Sequence, residues 1–224
     1  MGSSSVQQVT VPIDDGSSVS GLLCAPAASR GCLVVAHGAG AGMHHPFMAA
    51  VATALAERAI ATLRYQFPFM ERGSKRPDSP AVAHAAVRAA VAEARRRLPD
   101  LPLFAGGKSF GGRMTSQTQA GAPMEGVRGL VFIGFPLHPA GKPSQERAAH
   151  LHQVNCPMLF LQGTRDELAD LTLLRNVLDP LQDRVTLKVF EDADHSFHVR
   201  ARSGQTDDQV RVAMIDAMVN WFKV

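Results

Sequence analysis

Leu101-Pro102-Leu103-Phe104-Ala105-Gly106-Gly107-Lys108-Ser109-Phe110-Gly111-Gly112-Arg113 is the segment on which the reading of this chain turns. Residues 101–105 form a short apolar run, the pattern of a strand buried on both faces. Residues 110–119 read as a helix. Between the two, Gly107-Lys108-Ser109-Phe110-Gly111 matches Gly-x-Ser-x-Gly in the strand–turn–helix context that gives the pattern its meaning. A turn this sharp strains the serine backbone, and the residues two positions either side must lack bulk. Gly107 and Gly111 meet that need. The turn lifts the serine hydroxyl clear of the sheet, and the helix N-terminus beneath it favours developing negative charge. Ser109 is therefore a candidate nucleophile.

Working outward, short β-rich runs alternate with longer helical patterns. Residues 9–13 and 18–23 read as strands joined by the turn Asp14-Asp15-Gly16, which predicts an antiparallel hairpin. Residues 32–36 are a buried strand. Residues 46–58 are a helix with Phe47, Val51 and Leu55 on one stripe and Pro46 in its first turn. Residues 59–65 are the next strand, and 66–80 a loop rich in Pro, Gly and charge. Residues 81–98 are helical, with Val87, Val91, Ala94 and Leu98 facing inward.

Further on, 127–133, 158–162 and 185–190 read as strands. Helices are expected at 145–152, 168–178 and 206–222, the last with Val210, Met214, Met218 and Trp221 inward. This alternation predicts an α/β fold: a mostly parallel sheet of about eight strands with helices on both faces. The insertion after Ile133 is short, so no large cap is expected. No linker divides the chain. Residues 6–224 read as one domain and residues 1–5 as a flexible N-terminus.

A serine hydroxyl is a weak nucleophile without a base. His195, in Asp192-Ala193-Asp194-His195-Ser196-Phe197 just after the last strand, is the first choice, with His198 as a rival. A histidine base needs an orienting carboxylate. Asp166, in Gly163-Thr164-Arg165-Asp166, follows the strand 158–162 and completes the order Ser109, Asp166, His195. Asp194 and Asp192 are alternative acids, but their place in the histidine's own turn suits turn-forming roles. An oxyanion hole needs backbone N–H groups. Phe110, next after the serine, should supply one. The small-residue loop His37-Gly38-Ala39-Gly40-Ala41-Gly42 should supply the other, from Ala39 or failing that Gly40. His37 reads as a structural hydrogen-bonder. Phe67, Phe69 and Met70 on one side, and Leu137 and His138 on the other, are candidates to line a substrate pocket, or simply pack loops onto the core.

Two other patterns fail on their own terms. Lys108-Ser109 looks like the end of a phosphate-binding loop, but position 102 is proline where that loop needs glycine. Gly38-Ala39-Gly40-Ala41-Gly42-Met43 lacks the third glycine of a dinucleotide fingerprint, and no acidic residue ends the strand near Tyr65.

The chain has 224 residues, 46% apolar and 19% charged, with a formal net charge of +3, which marks a globular class. No basic stripe with interleaved aromatics points to nucleic acid. Arg95-Arg96-Arg97 suits the end of a helix and solvent. No apolar run approaches a membrane span, and the N-terminus lacks a signal peptide's pattern. Cys24, Cys32 and Cys156 fit no metal or CxxC spacing, and they read as free thiols in a reducing, cytoplasmic setting; the alternative is that Cys24 and Cys32 face each other on adjacent strands. No metal or organic cofactor is implied, and the oligomeric state is not readable.

With these residues in hand, the chain from about Val9 to Phe222 resembles the α/β-hydrolase superfamily in its small, cap-poor form, similar to dienelactone hydrolases and small esterases. More narrowly it resembles bacterial hydrolase-like proteins related to a testis-expressed protein and to a scaffold subunit of a histone-acetylating complex. The carrying segments are His37-Gly38-Ala39-Gly40, Leu63-Arg64-Tyr65-Gln66-Phe67-Pro68, Gly106 to Arg113, Phe135-Pro136-Leu137-His138-Pro139 and Gln162-Gly163-Thr164-Arg165-Asp166. Dienelactone hydrolases use cysteine where this chain has Ser109. The resemblance implies a serine hydrolase acting on a small-molecule acyl substrate, a carboxylic ester or thioester, through an acyl-enzyme. The alternatives are acyl transfer on the same three residues and a non-catalytic interaction module.

Overall fold

In the computed structural model, which describes residues 5–14 and 16–224, the chain opens with strands β1 (Val6–Pro12) and β2 (Ser18–Cys24). They pair antiparallel, as the hairpin reading requires. The expected flexible N-terminus, Ser5 apart, and Asp15 of the expected turn lie outside the described residues. There follow β3 (Gly31–Ala36), α1 (Pro46–Ala56), β4 (Ile60–Tyr65), α2 (Pro68–Glu71) and α3 (Pro80–Arg97). Then come β5 (Leu103–Lys108), α4 (Phe110–Gly121), β6 (Val127–Ile133), β7 (Met158–Gly163), α5 (Leu171–Leu178), β8 (Val185–Phe190) and α6 (Asp207–Phe222). The segment expected to be a helix at 145–152 is a 3-10 helix, Glu146–Gln153.

The strands form one eight-stranded sheet in the order β1-β2-β4-β3-β5-β6-β7-β8. From β4 to β8 all pairings are parallel. The six residues of β3, of β4 and of β7 are all buried, because helices cover both faces. One face packs Ala83, Ala86, Val87, Ala90 and Val91 of α3 with Met114 of α4 and Leu174 of α5. The run of alanines on α3 lets that helix lie close to the sheet. The other face packs Met48, Val51 and Leu55 of α1 with Val210, Met214 and Met218 of α6. Helix α6 starts at a capping box, in which Thr206 and Gln209 satisfy each other's backbone N–H. This is the α/β-hydrolase fold without a large cap. Among the described residues, no helix is long and apolar enough to cross a membrane.

Three expectations are corrected. Strand β4 lies between β2 and β3, so Cys24 sits opposite Thr62 and Cys32 opposite Ala61; the two cysteines are not on adjacent strands, and both are buried free thiols. The segment 66–80 is not all loop, since Pro68 starts the short helix α2. The strand expected at 101–105 runs instead from Leu103 to Lys108, because Gly106 and Gly107 continue the ladder against Val35 and Ala36.

Candidate active site

Strand β5 delivers Ser109 directly into its turn. Ser109 takes φ 51° and ψ −118°, a left-handed backbone that costs a non-glycine residue energy. Its N–H donates to the carbonyl of Ile133 at 3.1 Å, which pins the turn to the end of β6. The flanking glycines are sterically required. A Cβ at Gly107 would stand 2.6 Å from the Ala36 carbonyl oxygen, and one at Gly111 2.6 Å from that of His37. Both contacts are to β3 or the residue just after it. Chain direction across the sheet reverses here: β3 is followed by β4 on one side, while β5 lies on the other. Loops leaving the adjacent carboxyl ends of β3 and β5 diverge and leave a crevice.

The loops after β7 and β8 bring Asp166 and His195 to the same end. His195 Nε2 lies 2.8 Å from Ser109 Oγ, and His195 Nδ1 lies 2.7 Å from Asp166 Oδ2. The Asp166 carboxylate also accepts from Gln162 Nε2 at 2.5 Å and from the Leu168 N–H at 2.8 Å. Gln162 is itself fixed, since its Oε1 accepts from the Phe135 N–H at 2.9 Å. The carboxylate is buried and fully engaged, while the imidazole keeps part of its edge exposed.

The rival groups are used elsewhere. The His198 ring pairs with Asp207 at 2.9 Å, and that hydrogen bond and the Asp207 charge raise its pKa. Asp194 Oδ1 accepts from the N–H groups of Ser196 and His198, folding the histidine's own turn. Asp192 is held by Arg200, whose hydrogen bond lowers its pKa.

The loop after β3 closes the crevice. His37 is fully buried; its Nδ1 donates to the Gly38 carbonyl at 2.7 Å and its Nε2 accepts from the Phe67 N–H at 3.0 Å. That pattern needs a neutral ring, and burial pushes its pKa down to about 4. Met43 is gripped at both ends of its backbone. Its N–H donates to Gln66 Oε1 at 2.8 Å, and its carbonyl accepts from Arg64 Nη1 at 3.0 Å. Ala39 and Gly40, held by this loop, line a cleft of about 490 Å³ together with Ser109 and His195. Phe110 is the first residue of α4, where a backbone N–H has no partner within the helix.

The family model described as "Alpha/beta hydrolase domain" matches residues 29–223. The chain belongs to this α/β-hydrolase family. Among solved structures it is similar to a dienelactone hydrolase from Anabaena variabilis, with a TM-score of 0.78 and 21% identity, covering 98% of this chain and 97% of that one. It is also similar to an α/β serine hydrolase without lid from Xanthomonas campestris, with a TM-score of 0.75 and 23% identity, covering 99% and 97%. A cold-adapted esterase from an Arctic intertidal metagenomic library matches at a TM-score of 0.69 and 20% identity, covering 98% and 96%. At these identities the likeness is one of fold.

Within this α/β-hydrolase frame the residues expected to line a substrate pocket do not border the cleft at Ser109. Phe67 and Phe69 are fully buried, and their rings pack on His37 and Phe110 behind the crevice. Met70 packs against the same core, near Gly42. Leu137 is fully buried. His138 ties two loops together: its Nε2 accepts from the Asp170 N–H at 2.9 Å, and its Nδ1 donates to the Pro139 carbonyl. The depression that Leu137 and His138 border includes neither Ser109 nor His195. The cleft at Ser109 is lined instead by Ala39, Ala41, Phe47, Met48 and Leu168. Phe47 and Met48 read in the sequence only as helix residues, and Lys108, which also lines the cleft, only as half of a failed phosphate-loop pattern.

Proposed function

We propose that this protein is a serine hydrolase of carboxylic esters or thioesters, working through Ser109, His195 and Asp166. The observation that carries the reading is the unbroken hydrogen-bond chain from Ser109 Oγ through the His195 ring to a buried carboxylate. In this mechanism His195 Nε2 takes the hydroxyl proton as Ser109 Oγ attacks the acyl carbon. The N–H groups of Phe110 and Ala39 stabilise the resulting oxyanion. His195 then returns the proton to the departing alkoxide or thiolate, leaving an acyl-serine. Water, deprotonated by the same imidazole, then attacks the acyl carbon; the bond to Ser109 Oγ breaks, His195 returns the proton to that oxygen, and the acid leaves. Asp166 keeps Nδ1–H facing away from the serine and steadies the imidazolium while it carries the extra proton.

The family membership, and the likeness in fold to a dienelactone hydrolase and an esterase, agree with hydrolysis. The apolar lining of the open cleft suits short acyl groups on small substrates. The free thiols suit a reducing, cytoplasmic setting. A short p-nitrophenyl ester and a fluorophosphonate probe test the assignment. Wild-type protein should turn over the ester and take the label, and Ser109→Ala should do neither. Labelling that survives Ser109→Ala rejects it.

A further inference from the structure

Lys108, the residue just before the serine, sends its side chain across the site. Its Nζ donates to the main-chain carbonyl of His195 at 2.6 Å and stands 5.7 Å from the centre of the Phe197 ring. In the sheet order, β6 and β7 separate β5 from β8. Three strand spacings put the two carboxyl ends roughly 14 Å apart. His195 therefore hangs on a loop that leaves an edge strand, and it has to meet a serine from the middle of the sheet. The loop folds on itself through Asp194, which fixes its shape. Lys108 ties that shape to the strand carrying the nucleophile. Gly134 leaves room for the tie: a Cβ there would stand 3.0 Å from Lys108 Nζ and 3.4 Å from the His195 ring.

We infer that Lys108 is a positioning residue for the reaction proposed above, its ammonium holding the His195 main chain so that the imidazole stays in line between Ser109 and Asp166. The inference rests on that reading of the triad. The titratable groups facing the ammonium are Asp166 from the loop after β7 and Asp194 and His195 from the loop after β8, with His45 on the same cleft. Burial pushes the Lys108 amine down to about 8, and the charges of Asp166 and Asp194 oppose that fall. The charged tie is therefore complete well below pH 8 and fades as pH rises through it.

The test compares kcat and KM for a short p-nitrophenyl ester across pH in wild type, Lys108→Met, Asp194→Asn and Ser109→Ala. Lys108→Met should lower kcat by about 10²-fold, the scale of a misplaced catalytic group, with KM nearly unchanged. A basic limb near pH 8 in the wild-type kcat profile should be absent from Lys108→Met. Asp194→Asn keeps the turn-forming oxygen but removes a charge that favours the ammonium, so the limb should move to lower pH. Wild-type kcat in Lys108→Met, or an unchanged basic limb there, overturns the inference. If Lys108→Met does not fold, the limb of Asp194→Asn decides: a shift down supports it and no shift overturns it. Hydrolysis surviving in Ser109→Ala removes the triad reading and this inference with it. An inactive Ser109→Ala beside a fully active Lys108→Met removes this inference alone.

Discussion

Three donors converge on the Asp166 carboxylate, from His195, Gln162 and Leu168. Its Oδ2 takes the first two and its Oδ1 the third, so an amide in its place retains the shape but turns its NH2 on a donor at either position. Asp166→Asn should fold as wild type yet lose about 10⁴-fold in kcat, the scale known for this change in another serine triad, because the amide carries no charge to steady the imidazolium and, with its nitrogen on the histidine side, imposes the wrong tautomer. Steady-state kinetics beside a circular-dichroism melt check this; a loss of less than tenfold argues against an orienting role. Gln162 makes a separable prediction. Gln162→Leu strips a partner from the buried Phe135 N–H and from the carboxylate, which should cost about 1–3 kcal/mol of stability. The urea midpoint should fall at unchanged m-value. At this scale Ser109, Asp166 and His195 were legible as residue types in a fixed order at strand ends. Gln162 was not, because a polar residue closing a buried apolar run looks like part of the strand. Lys108 acts through a contact to a residue 87 positions away, which no local pattern encodes.

At the scale of elements, the loop after β3 depends on the end of β4. Arg64 and Gln66 hold the two ends of Met43, and through it the segment bearing Ala39 and Gly40. Gln66→Leu frees the Met43 N–H and lets that segment drift. The expected loss approaches that of removing one oxyanion donor, about 10²-fold in kcat, with KM much less affected. Equal kcat in Gln66→Leu and wild type would show that the loop holds itself. In the sequence Arg64 reads as a strand residue and Gln66 as a loop residue within a segment that carries the resemblance; their grip on Met43 does not show, because that partner lies on a neighbouring strand's loop. Strand order is likewise absent from any periodicity, which is why the sequence allows Cys24 and Cys32 on adjacent strands although β4 lies between theirs. The sequence pattern sets β5 too early in the chain for a related reason. Glycine reads as a loop signal, yet Gly106 and Gly107 belong to the ladder because the close approach of neighbouring backbone excludes any side chain.

Over the whole molecule, several histidines are folded in the neutral state. Burial lowers the pKa of His37 and of His150 to about 4, and burial also lowers that of His84. Each of these groups binds a proton more readily in the unfolded chain, near the ordinary histidine value. For these groups the unfolded state therefore carries more protons between roughly pH 6.5 and 4, and their contribution to stability falls as pH drops through that window; the raised pKa of exposed His198 opposes it. Above it both states are neutral and the term vanishes. For the fully buried His37 the limit is about 3 kcal/mol. A protonated ring there also turns the acceptor facing the Phe67 N–H into a second donor. Urea midpoints should consequently be lower at pH 5 than at pH 7. His37→Gln keeps a polar group without a titrating proton, so its stability at pH 7 should be reduced but its drop between pH 7 and pH 5 should be smaller. A pH dependence identical to wild type would place the acid sensitivity elsewhere than in this buried ring.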